Sequence, residues 1–122
     1  MAKHNDLGKR GEELAKVFLQ NSGYEILAEN WRHKRAEIDL IARLGNFFVF
    51  VEVKTRSTSV FGEPEDFVSE KKQQMMINAA EIFLEDYPAQ FAIEVRFDII
   101  SIVLGPSEET LHHFEDAFSD RP

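Results

Sequence analysis

Asp39, Glu52 and Lys54 carry the side chains best placed along the sequence for metal or acid–base chemistry. Glu37-Ile38-Asp39 sits among apolar neighbours, and Glu52-Val53-Lys54 lies at the far end of the next apolar run. Side chains alternate along a strand, so Glu52 and Lys54 share one face and Val53 takes the other. If the two segments pair as a hairpin through Gly45, the similar strand lengths on either side of the turn bring Asp39 close to Glu52. Two carboxylates and an ammonium would then converge. Such a set suits Mg²⁺ or Mn²⁺, since magnesium takes a few carboxylate oxygens and keeps several waters. Phosphodiester cleavage calls for a cation that polarises a phosphoryl oxygen and lowers the pKa of the attacking water. Asp39 and Glu52 would hold the cation, and the Val53 carbonyl would add an oxygen. Lys54 would orient the water or neutralise charge developing at phosphorus.

The plainer reading of each residue is a solvated strand end, with Glu52 and Lys54 as a surface ion pair worth about 0–1 kcal/mol. Against it, both interrupt residues 47–55, the most apolar strand-like segment of the chain. Charges there are costly unless paired or bound to metal.

Periodicity and turn residues define the elements that must position these groups. A helix capped by Asn5 or Asp6 should run to about Asn21, with Leu14, Ala15 and Phe18 on one face and Gly23 as its stop. Residues 24–30 and 37–43 read as strands, the second with Ile38, Leu40 and Ala42 on one face. After a turn at Leu44-Gly45-Asn46, residues 47–55 read as a central strand covered on both sides. Residues 57–67, with Gly62 and Pro64, form a surface loop. Residues 69–84 give a second helix, with Met76, Ala79, Ala80 and Phe83 at helical spacing and Lys71 and Lys72 in the first turn. Pro88 closes that segment, and residues 91–103 supply a strand parallel to 47–55 through a right-handed crossover. Residues 111–114 are an optional short edge strand before a polar tail from about residue 115. The expected order is α-β-β-β-α-β, a mixed α/β sheet flanked by helices in a single domain over residues 1–122.

A chain of 122 residues, 43% hydrophobic, can bury one core and is too short for two. The absence of cysteine excludes disulfides, thiolate nucleophiles and thiolate metal sites. No apolar run approaches the roughly 18 residues of a membrane span, so the expectation is a soluble, cytoplasmic protein. A net charge of −8 fits poorly with phosphate backbones, which are held by clustered Lys and Arg. The charge is segregated, however. Residues 1–60 carry ten basic and eight acidic side chains, whereas residues 61–122 carry four and fourteen. Arg32, Lys34 and Arg35, Lys54 and Arg56, and Lys71 and Lys72 can therefore form a local basic face.

Glu-Ile-Asp-Leu-Ile-Ala at 37–42, followed by Phe-Val-Glu-Val-Lys-Thr-Arg at 50–56, resembles the PD-(D/E)XK nuclease signature. Asp39 stands as its aspartate and Glu52-Val53-Lys54 as its E-X-K. The likeness extends through Gly8, Gly11-Glu12, Ala15, Asn30, Arg32, Phe61-Gly62, Val68, Lys72-Gln73, Arg96-Phe97-Asp98 and Ala117-Phe118. Over nearly the whole chain these positions resemble the YraN-like family of small bacterial predicted endonucleases, related to Holliday-junction resolvases. The resemblance implies a restriction-endonuclease-like fold, with metal on Asp39 and Glu52 and catalysis by Lys54. It matches Glu12 to the helix glutamate of the resolvases, which would complete the metal site directly or through water. It implies DNA as partner, branched or otherwise structured, and a homodimer to cut the two strands of a junction symmetrically. Arg32, Arg35, Arg56, Lys71, Lys72 and Gln73 are the expected nucleic-acid contacts. A solvated helix face is the bland alternative for Lys72 and Gln73, and an exposed helix position for Glu12. One departure stands out: Ala36 occupies the place where that family usually has glycine, so the turn there should differ.

Other residues point less sharply. His4, His33, His112 and His113 lack zinc-site spacing and read as incidental. Gly8 and Gly11 precede no phosphate-binding Lys-Ser/Thr, so they serve close approach of the first helix instead. Arg96 and Asp98 share a strand face and can pair. Trp31, Phe47, Phe48 and Phe50 read as core. Two rivals to a nuclease remain: a non-catalytic nucleic-acid-binding or adaptor module on the same fold, and a protein-interaction domain using the acidic C-terminal half.

Overall fold

A computed structural model describes residues 2–58, 68–87 and 94–119, with side chains from residue 6 onward. These residues form α1 (Ala2–Asn21), β1 (Glu25–His33), β2 (Ala36–Leu44), β3 (Phe47–Arg56), α2 (Glu70–Leu84), β4 (Glu94–Leu104) and β5 (Glu109–Phe118). Most of the expected loop at 57–67, with Phe61, Gly62 and Pro64, lies outside the described residues, as do Pro88 and residues 91–93.

The strands make one five-stranded sheet in sequence order, with β3 at its centre. Pairing is antiparallel for β1–β2, β2–β3 and β4–β5, and parallel for β3–β4, as a crossover through α2 requires. A mixed sheet with a helix on each face is the restriction-endonuclease-like arrangement expected from the sequence. The order is α-β-β-β-α-β-β, however, and the polar tail expected from about residue 115 is corrected. β5 continues to Phe118 because Phe118 stacks on Phe97 at 5.2 Å and the Asp116 N–H donates to Asp98 Oδ1 at 2.9 Å.

Each face of the sheet carries its own apolar cluster. α1 covers Leu40, Ala42, Val49, Val51, Val53, Ile100 and Ile102 with Ala15 and Leu19. Leu14 faces outward, because the buried stripe of α1 is centred one residue further on. On the other face Met76, Ala79 and Ala80 of α2 pack on Ile38, Ile41, Phe48, Phe50 and Ile99. Phe83 meets Trp31 and Phe50 edge-on there. Phe47 is the exception to the expected aromatic core, lying part-exposed under the Arg96 guanidinium.

The helix ends follow local chemistry. Gly23 takes φ +93°, the left-handed conformation that ends α1, and the Tyr24 N–H returns to the Leu19 carbonyl. Ser69 caps α2, its hydroxyl accepting from the Lys72 N–H at 3.1 Å. Gly11 touches β3 so closely that a Cβ would collide with the Thr55 side chain. That contact sets α1 against the end of β3, next to Lys54. Gly8, by contrast, faces open space.

β2 does not alternate regularly. Ile38 joins the α2-side cluster while Leu40 and Ala42 join the α1-side cluster, so the three do not share a face as expected. The strand changes face at Asp39.

Candidate active site

The change of face at Asp39 coincides with a fork in the sheet. Pairing between β2 and β3 runs from Leu44–Phe47 to Leu40–Val51 and stops, while β2 stays paired with β1 as far as Ala36–His33. Asp39 and Glu52 are the next residues along the two diverging strands. The Val53 N–H would lack a partner at this point, and Asp39 Oδ2 accepts from it at 2.8 Å. The aspartate side chain takes over a position in the ladder that a backbone carbonyl would otherwise fill.

This substitution leaves a buried carboxyl in a poor environment for its charge. Burial raises the Asp39 pKa, and the neighbouring Glu52 and Glu12 raise it further. The Val53 N–H and Lys72 pull the other way without prevailing, and the group is pushed up to about 7. Glu52, 5% exposed, faces two ammonium groups from different elements. Lys54 Nζ lies 3.5 Å from its Oε2 and Lys72 Nζ lies 3.5 Å from its Oε1. Neither reaches hydrogen-bond quality at Oε1, which is buried and has no hydrogen-bond donor.

Glu12 completes the group. The tight Gly11–Thr55 contact brings its helix turn to the fork, and the Asn30 side chain donates to it. Asn30 adopts φ +49°, a left-handed conformation that asparagine tolerates better than most residues. Burial raises the Glu12 pKa and the Asn30 hydrogen bond opposes the rise, while Glu37, Glu52 and Glu29 add to it. The structure thus gathers Glu12, Asp39, Glu52, Val53 and Lys54 as expected, and adds Asn30 and Lys72. Lys72 was expected on DNA but turns inward. It precedes Met76, Ala79, Ala80 and Phe83 at helical spacing, so the buried face of α2 already contained it.

The remaining expected contacts are distributed differently. Gln73 is tied down locally, its amide donating to the Val68 carbonyl at 3.0 Å. Arg32 pairs with Glu37 at 2.7 Å but keeps 73% of its side chain exposed. Lys34 and Arg35 form the exposed two-residue turn between β1 and β2, and Lys71 is exposed on α2. Arg56 ends β3, half-buried. Ala36, where glycine was expected, sits in β2 opposite His33, and the left-handed residue of this turn is Lys34 at φ +56°.

The acidic side chains gathered here offer only oxygen donors, the set that would suit a hard divalent cation such as Mg²⁺. The buried, donor-free Glu52 Oε1 and the under-neutralised Asp39 carboxyl fit such an ion. Among the described residues no three carboxylate or imidazole groups close into a cage. Ligation would rely on two carboxylates with waters and backbone oxygen.

A second polar cluster lies on the α1 side of β4 and β5. Asp98, fully buried, takes two hydrogen bonds from Arg96, at 2.9 and 2.8 Å, so these two pair as expected. Asp98 also receives the Asp116 N–H and lies 2.6 Å from His113 Nε2. Tyr24 accepts from Arg96 in turn. His113 is therefore a structural partner and not incidental.

No described helix is long and apolar enough to cross a membrane. A family model described as uncharacterised protein family UPF0102 matches residues 11–102. A UPF0102 protein of Christiangramia forsetii is 47% identical over 118 residues, covering 97% of this chain and 98% of its own length. UPF0102 protein FP2501 of Flavobacterium psychrophilum is 48% identical with the same coverage. A UPF0102 protein of Bacteroides thetaiotaomicron is 39% identical, covering 97% of this chain and 96% of itself. On the strength of that end-to-end similarity, the chain belongs to the uncharacterised protein family UPF0102.

Proposed function

We propose that this protein is a divalent-metal-dependent DNA endonuclease acting at the β2–β3 fork, with branched DNA as the preferred substrate class by analogy with the resolvases its sequence resembles. The observation that carries the reading is the juxtaposition of Asp39 and Glu52, two buried carboxylates, with Lys54 on the second of them. Purely structural carboxylates in such positions are normally matched by donors. Asp39 is left with one backbone N–H and an elevated pKa, the mark of a site held ready for a charged ligand.

Asp39 and Glu52 would hold Mg²⁺ or Mn²⁺, with Glu12 acting through water and the Val53 carbonyl as a further oxygen. The bound ion would polarise the scissile phosphate and acidify water. Lys54 supplies a cation beside Glu52, suited to orienting the nucleophilic water and countering charge at phosphorus. Arg32, Lys34 and Arg35 extend a positive turn from the strand that carries Asp39, a local attraction for phosphate within an acidic chain.

A second reading is a nucleic-acid-binding or adaptor module without turnover. It is favoured by the two lysines that already neutralise Glu52. Labelled four-way junction, flap, single-stranded and duplex DNA, incubated with Mg²⁺, Mn²⁺ or EDTA, separates the two. Metal-dependent cutting by the wild type, lost in Asp39→Ala and Lys54→Ala, is expected. Binding without cutting under every metal condition would establish the adaptor instead.

A further inference from the structure

Glu52 has an excess of positive partners for a single carboxylate. Lys54 comes from two residues along the same strand, and its contact with Glu52 follows from strand alternation. Lys72 comes from the first turn of α2, on a different element, and occupies the other oxygen. Both ammonium groups sit at 3.5 Å, long for a charge-assisted hydrogen bond, and Oε1 makes no hydrogen bond at all. Lys72 is 30% exposed, so its flexible four-carbon stem can swing outward without unpacking α2, which is anchored by Met76, Ala79 and Ala80. A loosely held ammonium on an otherwise unsatisfied oxygen is easy to displace.

We propose, building on the metal-dependent reading above, that Lys72 is an exchangeable counter-ion. It neutralises Glu52 Oε1 while the site is empty of metal, and a divalent cation displaces it. The freed ammonium then meets a phosphate of the substrate. One side chain thereby keeps the buried carboxylate compensated before binding and adds positive charge to the DNA side only once the site is loaded. Nothing covalent changes; one ion pair is exchanged for two.

Removing Lys72 should tighten metal binding, and the labelling of Lys72 itself separates its displacement from charge repulsion by a lysine that stays in place. Mn²⁺ binding to the DNA-free protein, followed by calorimetry, should be tighter in Lys72→Met than in the wild type by roughly tenfold, the scale of removing one close competing charge at a partly buried site. Lys9→Met, on the exposed face of α1, should stay within about twofold. With Ca²⁺ in place of Mg²⁺ to limit cutting, Lys72→Met should bind duplex DNA more weakly than the wild type, whereas in EDTA the two should bind alike.

A measurement on the wild type alone guards against a variant that fails to fold. Amine acetylation read by mass spectrometry should rise at Lys72 when Mg²⁺ is added, relative to Lys9 and Lys34. Unchanged or weaker Mn²⁺ affinity in Lys72→Met, or unchanged Lys72 labelling with Mg²⁺, would overturn the exchange while leaving the nuclease reading intact. Failure of the wild type to bind Mn²⁺ at all would sink the metal-dependent reading and the exchange with it.

Discussion

Asp39 and Asp98 are both buried aspartates on strands adjoining β3, yet the protein treats their charges in opposite ways. Burial alone pushes the Asp98 carboxyl up. Hydrogen bonds from His113, Arg96 and the Asp116 N–H outweigh it, and the group ends below the usual carboxylate range. Asp39 has one N–H and two neighbouring carboxylates, and burial pushes it up to about 7. The contrast lies in the partners, because both side chains are withdrawn from water. A cluster that satisfies its own charge belongs to the scaffold. One that leaves its charge unmet has room for something brought from outside.

Removing each carboxylate in turn should have opposite effects in the two clusters. Asp98→Ala leaves the Arg96 guanidinium with only Tyr24 and the exposed Glu115 and also strands the Asp116 N–H, and should cost about 3 kcal/mol in urea unfolding. Gly11→Ala should come next. It drives a methyl group into Thr55 and should cost about 1–3 kcal/mol, and by displacing Glu12 it should also lower any metal affinity measured by calorimetry. Asp39→Asn should do the reverse of Asp98→Ala. The amide oxygen can still accept from the Val53 N–H while the repulsion with Glu52 and Glu12 disappears. Stability above about pH 7 should hold or rise by about 1 kcal/mol, with metal-dependent cutting lost.

The smallest effect is in pH dependence, and its signs differ between the regions. Asp98, with a lowered folded pKa, contributes stability present above its unfolded pKa and lost as pH falls through the folded value. Asp39, with a raised one, contributes stability fully present below the unfolded value of 3.8 and lost as pH rises through about 7. Mg²⁺ competes with that proton, so thermal melts should show more Mg²⁺ stabilisation at about pH 8 than at about pH 5. Equal stabilisation at both would remove Asp39 from the metal site.

The satisfied cluster was harder to read in the sequence than the unsatisfied one. Asp39, Glu52 and Lys54 stood out because charges interrupted an apolar strand, a local signal. His113 carried no such signal. It reaches Asp98 only because β5 pairs with β4 across an irregularity between Phe97 and Ile99, a register that long-range packing decides. The same limit hid the change of face at Asp39, since strict alternation assumes unbroken pairing and pairing with β3 ends at Leu40. Lys72 was different: its place on the Met76–Phe83 stripe was visible, but a lysine in a first helical turn reads more readily as solvent-facing. The β2–β3 hairpin, the central place of β3 and the parallel crossover follow from element pattern. Of the last strand only residues 111–114 are legible, because its alternation of polar and apolar residues is weak and the anchors that extend it, Phe118 and the Asp116 N–H, act on β4.

Carboxyl carbon NMR titration of Asp39 and Asp98, with and without Mg²⁺, decides whether Asp39 is a buried acid kept for a cation. Asp39 should titrate at about 7 in the absence of metal and move down when Mg²⁺ is added, while Asp98 should titrate below the ordinary range and stay there. An Asp39 that titrates like an exposed carboxylate and ignores Mg²⁺ would contradict that role.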